Sequence, residues 1–322
     1  MENTVTNAAD RLTAAIKEKG APCAVGLDTA LDFLPEEMTR ACDSAEGAAA
    51  AVAEFNYRVI ESVRGLAPAV KVQVAYYEAL GWQGMRAFAD TLKYARENGL
   101  IAIADCKRND IASTAGAYAS AFLGGAAFGA FECDFLTVNG YLGADGIKPF
   151  TDECAKRGKG VFVLCKTSNP GSGQLQDLKL DGTCAAPVPS NAADSRRGGG
   201  RTLYEAMGGL INEWGAGLVG QSGYSAVGAV VGATHPAQAA VLRKLMPRAI
   251  FLVPGYGAQG GTAEGLRPCF NADGTGAVVN SSRAILCAYR SEKYKGMKYY
   301  EAARAATEDM VEDLRRLQGI DD

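Results

Sequence analysis

The chain has 322 residues, 48 % of them hydrophobic, and a formal net charge of −3. That length suits one large domain or two ordinary ones around a sizeable core, and the charge gives no electrostatic reason to expect nucleic-acid binding. Nine scattered cysteines without a Cys-x-x-Cys pair read as reduced, mostly buried thiols of a cytosolic protein, not as a disulfide framework or a zinc site.

Residues 4–19 predict an opening helix ended by Gly20. This N-terminus is amphipathic and mixed in charge, unlike a signal peptide, and no apolar run approaches the roughly 18 residues of a membrane span. APCAVGLD (21–28) predicts a short apolar strand finishing on Asp28, and a helix follows over about 44–65, with Val52, Phe55, Val59, Ile60 and Val63 at helical spacing. AVKVQVA (69–75) puts Lys71 among valines in a second strand, before a long helix over 78–98 closed by Gly99. In LIAIADCKRNDI (100–111) Ile101, Ile103, Asp105 and Lys107 alternate onto one face of a third strand, and Asp110 stands where the chain turns into the helical IASTAGAYASAFLG. DFLTVNG (134–140), the helical GIKPFTDECAKRG and GVFVLCKTSN (160–169) come next.

From Pro170 to about Gly200 the rhythm breaks into a polar, Pro/Gly-rich interval without firm periodicity, which predicts an insertion or lid loop. It resumes with a helix over 202–215, the strand SAVGAVVG (225–232), the helix HPAQAAVLRKLMP, the strands AIFLVPG (249–255) and GAVVNSS (276–282), and an amphipathic tail helix. Eight apolar strands separated by helices predict a single α/β domain over 1–322, a (β/α)8 TIM barrel with an extra N-terminal helix and an insertion after the fifth strand. The alternative, an open doubly wound sheet, wants a Gly-x-Gly-x-x-Gly after an early strand, and VGLDTALDF does not supply it.

The chain's one histidine, His235, precedes a proline at a helix start, where a capping or spacer role is expected. A single histidine rules out multi-histidine metal sites, and its capping position disfavours Ser-His-Asp chemistry, so acid–base work falls to Lys, Asp or Glu. Barrels keep their working residues at the carboxyl ends of strands. Those ends carry Asp28, Lys71, Asp105 with Lys107, Lys166 through Asn169, the glycine-rich PGYGAQGG (254–261) and SSR (281–283). A lone strand-end Asp such as Asp28 is most often a turn residue, and the glycine loop alone could be a turn. Lys71 is harder to dismiss, since a lysine among valines that points inward needs a charged partner. The last two ends suit a phosphate, with Arg283 as a planar bidentate donor and Gln259 as an amide.

The runs VGLD, VKVQ, ADCKRNDI, KTSNPGSG, VPGYGAQGG and NSSR, in that order, resemble orotidine 5′-monophosphate decarboxylase, most closely the longer-chain branch found in some bacteria and in malaria parasites. The resemblance implies loss of CO₂ from orotidine monophosphate to give uridine monophosphate, the last step of de novo pyrimidine synthesis, without metal or organic cofactor. It implies that Asp28 and Lys71 hold the ribose hydroxyls, and that Lys71, Asp105, Lys107 and Asp110 form an alternating charged tetrad with Lys107 the proton donor to C6. It further implies a homodimer in which Asp110, Ile111 and Thr114 reach the partner's site. Ser168 would contact the pyrimidine, and Gln259 and Arg283 would grip the phosphate; Asn139 receives no role. Two rivals follow from the same residues. Mg²⁺-dependent sugar-phosphate enzymes, a keto-gulonate phosphate decarboxylase or a hexulose phosphate synthase, share the D-x-K-x-x-D element. A non-catalytic nucleotide-binding barrel is also compatible with the fold, though binding alone hardly needs Lys107.

Overall fold

The computed structural model describes residues 6–180, 200–257 and 263–318. Its eight strands are β1 (Cys23–Leu27), β2 (Ala69–Gln73), β3 (Ile101–Arg108), β4 (Phe135–Val138), β5 (Gly160–Lys166), β6 (Ser225–Val231), β7 (Ala249–Pro254) and β8 (Ala277–Ser281). They are hydrogen-bonded in chain order and close into a barrel, the expected (β/α)8 architecture. Parallel strands covered on both faces bury most of their side chains, which is why these segments read as near-continuous apolar runs. In β1, β4, β6 and β8 all residues are buried.

The longer helices are α1 (Ala8–Lys19), α2 (Ala45–Val63), α3 (Gly81–Glu97), α4 (Ala112–Phe122), α5 (Ala144–Arg157), α6 (Leu203–Gly215), α7 (Pro236–Leu245) and α8 (Tyr299–Gln318). Their starts follow local chemistry. The Ser44 hydroxyl accepts from the Gly47 N–H ahead of α2, and Thr202 forms a capping box with Glu205 ahead of α6. Of the helix expected over 78–98, α3 covers 81–97; a separate short helical turn, Ala75–Glu78, precedes it, and Gly81 at φ +68° opens α3 with a break in the helical backbone. Pro236 opens α7 and His235 holds the N-cap position, but its side chain caps nothing. No helix among the described residues is long and apolar enough to cross a membrane. The eight described cysteines are free thiols, six of them buried, and burial pushes Cys23 and Cys269 up to about 12.

The chain gathers into two compact units. One comprises residues 11–106, 117–136 and 279–322. Within it the rings of Phe55 on α2 and Tyr299 on α8 stack at 4.6 Å. A buried polar chain runs from the Thr29 hydroxyl to Asn56 Oδ1 (2.6 Å), and from the Asn56 amide to the Tyr77 hydroxyl (2.8 Å).

The other unit comprises residues 1–10, 107–116 and 137–278. Of the expected 170–200 insertion, a 3-10 turn (Pro170–Ser172) and a short helix (Gly173–Gln176) are described, and 181–199 lie outside the described residues. Its two stems pair. Lys179 and Thr202 form an antiparallel bridge, the Leu180 N–H donates to the Arg201 carbonyl (2.7 Å), and the Leu203 N–H donates to the Leu178 carbonyl (2.9 Å).

Arg243 of α7 is buried. Its guanidinium lies 3.6 Å from the Phe251 ring centroid and donates to the carbonyls of Met246, Ala249, Cys269 and Gly276. Burial pulls its pKa down to about 10. Arg243→Met keeps the apolar stem and takes these donors away, while the Met246 and Gly276 carbonyls keep the N–H groups of Ala249 and Phe251; the cost is about 1–3 kcal/mol for each carbonyl left unsatisfied. The expected result is a cooperative melt displaced downward by roughly 5 °C or more; an unchanged Tm would show the network to be dispensable.

Candidate active site

In the unit that carries β1, β2 and most of β3, the expectation for Lys71 is met. Its Nζ lies 2.9 Å from Asp28 Oδ1 and 3.0 Å from Asp105 Oδ2, and the side chain is almost wholly buried. Burial alone would pull this amine's pKa down, but the charges of Asp28 and then Asp105 outweigh it and hold the pKa above the ordinary lysine value. The register explains the meeting. Lys71 pairs with Gly26 on one side and Ile103 on the other, and Gln73 pairs with Asp105, so the three strand ends converge. Gln73 Nε2 donates to the same Asp105 oxygen at 2.9 Å. Gln73 was not singled out from the sequence, although its position two residues beyond Lys71 puts it on the same strand face.

In the same unit Arg283 is exposed, at the first position of a short helix, Arg283–Leu286, with its guanidinium 5.9 Å from the Phe33 ring. Its intended companion Gln259 lies outside the described residues.

The unit that contains Lys107 holds the remaining described candidates. Simple alternation carries β3 only as far as its buried Asp105. Lys107 itself is exposed and has φ +50°, the one non-glycine positive φ among the described residues. A left-handed lysine costs about 1–3 kcal/mol and persists only where its surroundings hold it. Here the Lys107 N–H donates to Thr137 Oγ1 on β4 at 2.9 Å, and the Asn139 N–H donates to the Arg108 carbonyl at 2.9 Å. Thr137 was missed because a single hydroxyl in an apolar strand reads as core, and Asn139 acts here through its backbone. The Asp110 carboxylate accepts from the Ile111 N–H (2.8 Å), and Ile111 and Thr114 are exposed.

Ser168 follows β5 and is half-buried against Gly232, where a Cβ would come within 2.8 Å of it, so the end of β6 must be glycine. Lys166 is fully buried. Its ammonium pairs with Asp177 (2.8 Å) and reaches Ser172 Oγ (3.3 Å), while Gln176 brackets Thr167 by accepting from its N–H (3.0 Å) and donating to its hydroxyl (2.8 Å). His235 Nε2 lies 3.4 Å from Ser172 Oγ, and burial, then the Lys166 charge, lowers its pKa. The ring thus stands beside the turn that follows β5. Nothing in the pattern of residues 170–180 signalled that Asp177 would answer a buried lysine.

The chain matches known proteins over most of its length. The model of the orotidine 5′-phosphate decarboxylase / HUMPS family matches residues 27–296. The chain is similar to the orotidine 5′-phosphate decarboxylase of Rhodopirellula baltica, 43 % identical over 315 residues that cover 95 % of this chain and 98 % of that one. Among solved structures it is similar to Leishmania donovani OMP decarboxylase, with TM-score 0.71, 31 % identity, and 98 % of this chain and 100 % of that one covered. It also resembles Leishmania donovani UMP synthase, with TM-score 0.72, 32 % identity and 97 % coverage of this chain, but spans only 57 % of that longer one. With a family model over most of its length and close relatives end to end, the chain belongs to the orotidine 5′-phosphate decarboxylase / HUMPS family.

Proposed function

We propose that this protein is a decarboxylase that converts orotidine 5′-monophosphate to uridine 5′-monophosphate, with its own lysines and aspartates as the catalytic groups and no metal or organic cofactor. The observation that carries this reading is the Lys71 ammonium bridging Asp28 and Asp105 at the carboxyl ends of β1 to β3. Lys107 lies two residues beyond Asp105 on the same strand.

The chemistry explains why such groups are needed. When the bond from C6 to the carboxyl group breaks, the electron pair stays on C6 in the plane of the ring, where the pyrimidine π-system cannot spread it. Fixed positive charge must meet it instead. The Lys107 ammonium supplies that charge and then gives its proton to C6; CO₂ leaves, and the neutral amine recovers a proton from solvent. Asp28 and Lys71 orient the ribose, Ser168 contacts the pyrimidine, and Arg283 with Gln259 holds the phosphate. Binding energy at the phosphate then raises the rate at a carbon it never touches. In this proposal the working form is a cytoplasmic homodimer in which Asp110, Ile111 and Thr114 serve the partner's site, and the 170–200 segment acts as a lid.

The family's description also spans HUMPS enzymes, so a metal-assisted sugar-phosphate reaction is the second reading. Against it, Asp28 and Asp105 are already engaged by an ammonium, which leaves their oxygens poorly placed to serve a divalent cation. The deciding measurement follows the ultraviolet absorbance of orotidine 5′-monophosphate with and without EDTA. Equal turnover in both is expected. Loss of activity on chelation, or a folded protein without turnover, would overturn the proposal.

A further inference from the structure

Among the described residues only one side-chain-bearing residue keeps a left-handed backbone, and it is the lysine on which the proposed chemistry turns. An L-residue at the end of a strand has no intrinsic reason to stay there, because the extended region is open to it and the left-handed region crowds its Cβ. Some neighbour has to hold it. At Lys107 the backbone N–H donates to a side chain of the neighbouring strand, the Thr137 hydroxyl, at 2.9 Å.

We propose that Thr137 is a positioning residue for the reaction, its hydroxyl keeping the Lys107 backbone in the conformation from which the ammonium is presented. The inference rests on Lys107 being the proton donor. Three features of the surroundings suit Thr137 to this work. It is 1 % exposed, and its neighbours in β4, Leu136 and Val138, are fully buried, so its backbone is locked in the barrel wall. A β-branched side chain is stiff at χ1, so its oxygen stays where the strand aims it. One residue further on, the Asn139 N–H takes the Arg108 carbonyl at 2.9 Å. The end of β3 is therefore held by β4 at two successive points, the N–H of 107 and the carbonyl of 108.

Only the first of these is a side-chain contact, so only it can be removed by substitution. Without it, relaxation of residue 107 toward extended backbone re-aims its side chain, since successive residues of an extended strand face opposite ways. Valine has nearly the shape of threonine and lacks the acceptor; serine keeps the acceptor and lacks the methyl group.

The test compares Thr137→Val, Thr137→Ser and Lys107→Ala with the parent. A misplacement of about 1 Å in a reacting group is worth on the order of 100-fold in rate. Thr137→Val is accordingly expected to lower kcat about 100-fold with KM within about twofold. Thr137→Ser should recover most of the loss. A residue that served only packing would instead move Tm and spare the ratio between the two constants. A Thr137→Val kcat within about threefold of the parent, or no rescue by serine, overturns the proposal. A crystal structure of Thr137→Val reads the holding role without any assay: residue 107 should leave the left-handed region, and an unchanged φ there would refute it. Should Lys107→Ala keep full activity, the proton-donor reading is what fails, and the φ measurement then decides Thr137's role alone.

Discussion

Lys107→Ala is expected to lower kcat by about 10⁵-fold or more. Two losses multiply. Removing one preorganised electrostatic donor from a developing anion typically costs about 10²–10³ in rate, and removing a general acid costs about 10²–10⁴. Because one amine does both jobs, neither loss is softened by a neighbour. Steady-state turnover of orotidine 5′-monophosphate measures the effect, and a drop of tenfold or less would end the assignment. The same variant tests whether sites are shared. If Asp110 serves the partner's site, mixing inactive Lys107→Ala and Asp110→Ala subunits regenerates one intact site in each heterodimer. Confirmed subunit exchange without recovered activity would contradict that arrangement.

Replacing Lys71 by methionine is expected to damage both rate and stability. The substitution keeps the stem and removes the charge that Asp28 and Asp105 share. Breaking a buried pair by deleting one partner costs about 3–5 kcal/mol, because the remaining charge is left without a counter-ion. Here two carboxylates are left, and they repel one another. The rate suffers because uncompensated negative charge then faces an incipient carbanion. At an effective dielectric of about 20, one unit charge at about 5 Å is worth about 3 kcal/mol, or roughly 100-fold in rate. The pH dependence has a definite sign. The folded-state pKa of Lys71 is raised above its unfolded value, so its stabilisation is complete below about pH 10.4 and is lost only as pH climbs through the folded value. The Tm difference between parent and Lys71→Met should therefore hold steady between pH 7 and 9 as far as this amine is concerned. A difference that collapses within that range would show that Lys71 is not the buried cation of this cluster.

How much of this was legible in advance depends on which force decides each feature. Hydrophobic periodicity is a property of the chain itself, and all eight strands, β1 through β8, lie where their apolar runs predicted them. Lys71 was legible for a related reason: a cation flanked by Val70 and Val72 has to be answered by a carboxylate wherever the fold places it. The backbone geometry of Lys107 was not legible. Alternation put it on the face of Asp105, whereas its φ of +50° is imposed by β4. Arg243 and Asp177 were illegible because their partners are main-chain carbonyls in one case and a buried lysine eleven positions away in the other. A charged residue on an amphipathic helix or in a polar stretch carries no mark of which fate awaits it.

The paired stems on either side of residues 181–199 bear on the evolutionary latitude of this barrel. Leu178 through Leu180 are fastened to Arg201 through Leu203 by main-chain bonds, which do not depend on the side chains of the segment between them. The free-energy cost of enclosing more chain rises only with the logarithm of its length. A change of length between the two stems is therefore expected to cost the barrel little, and an altered melting temperature in a variant shortened there would contradict it.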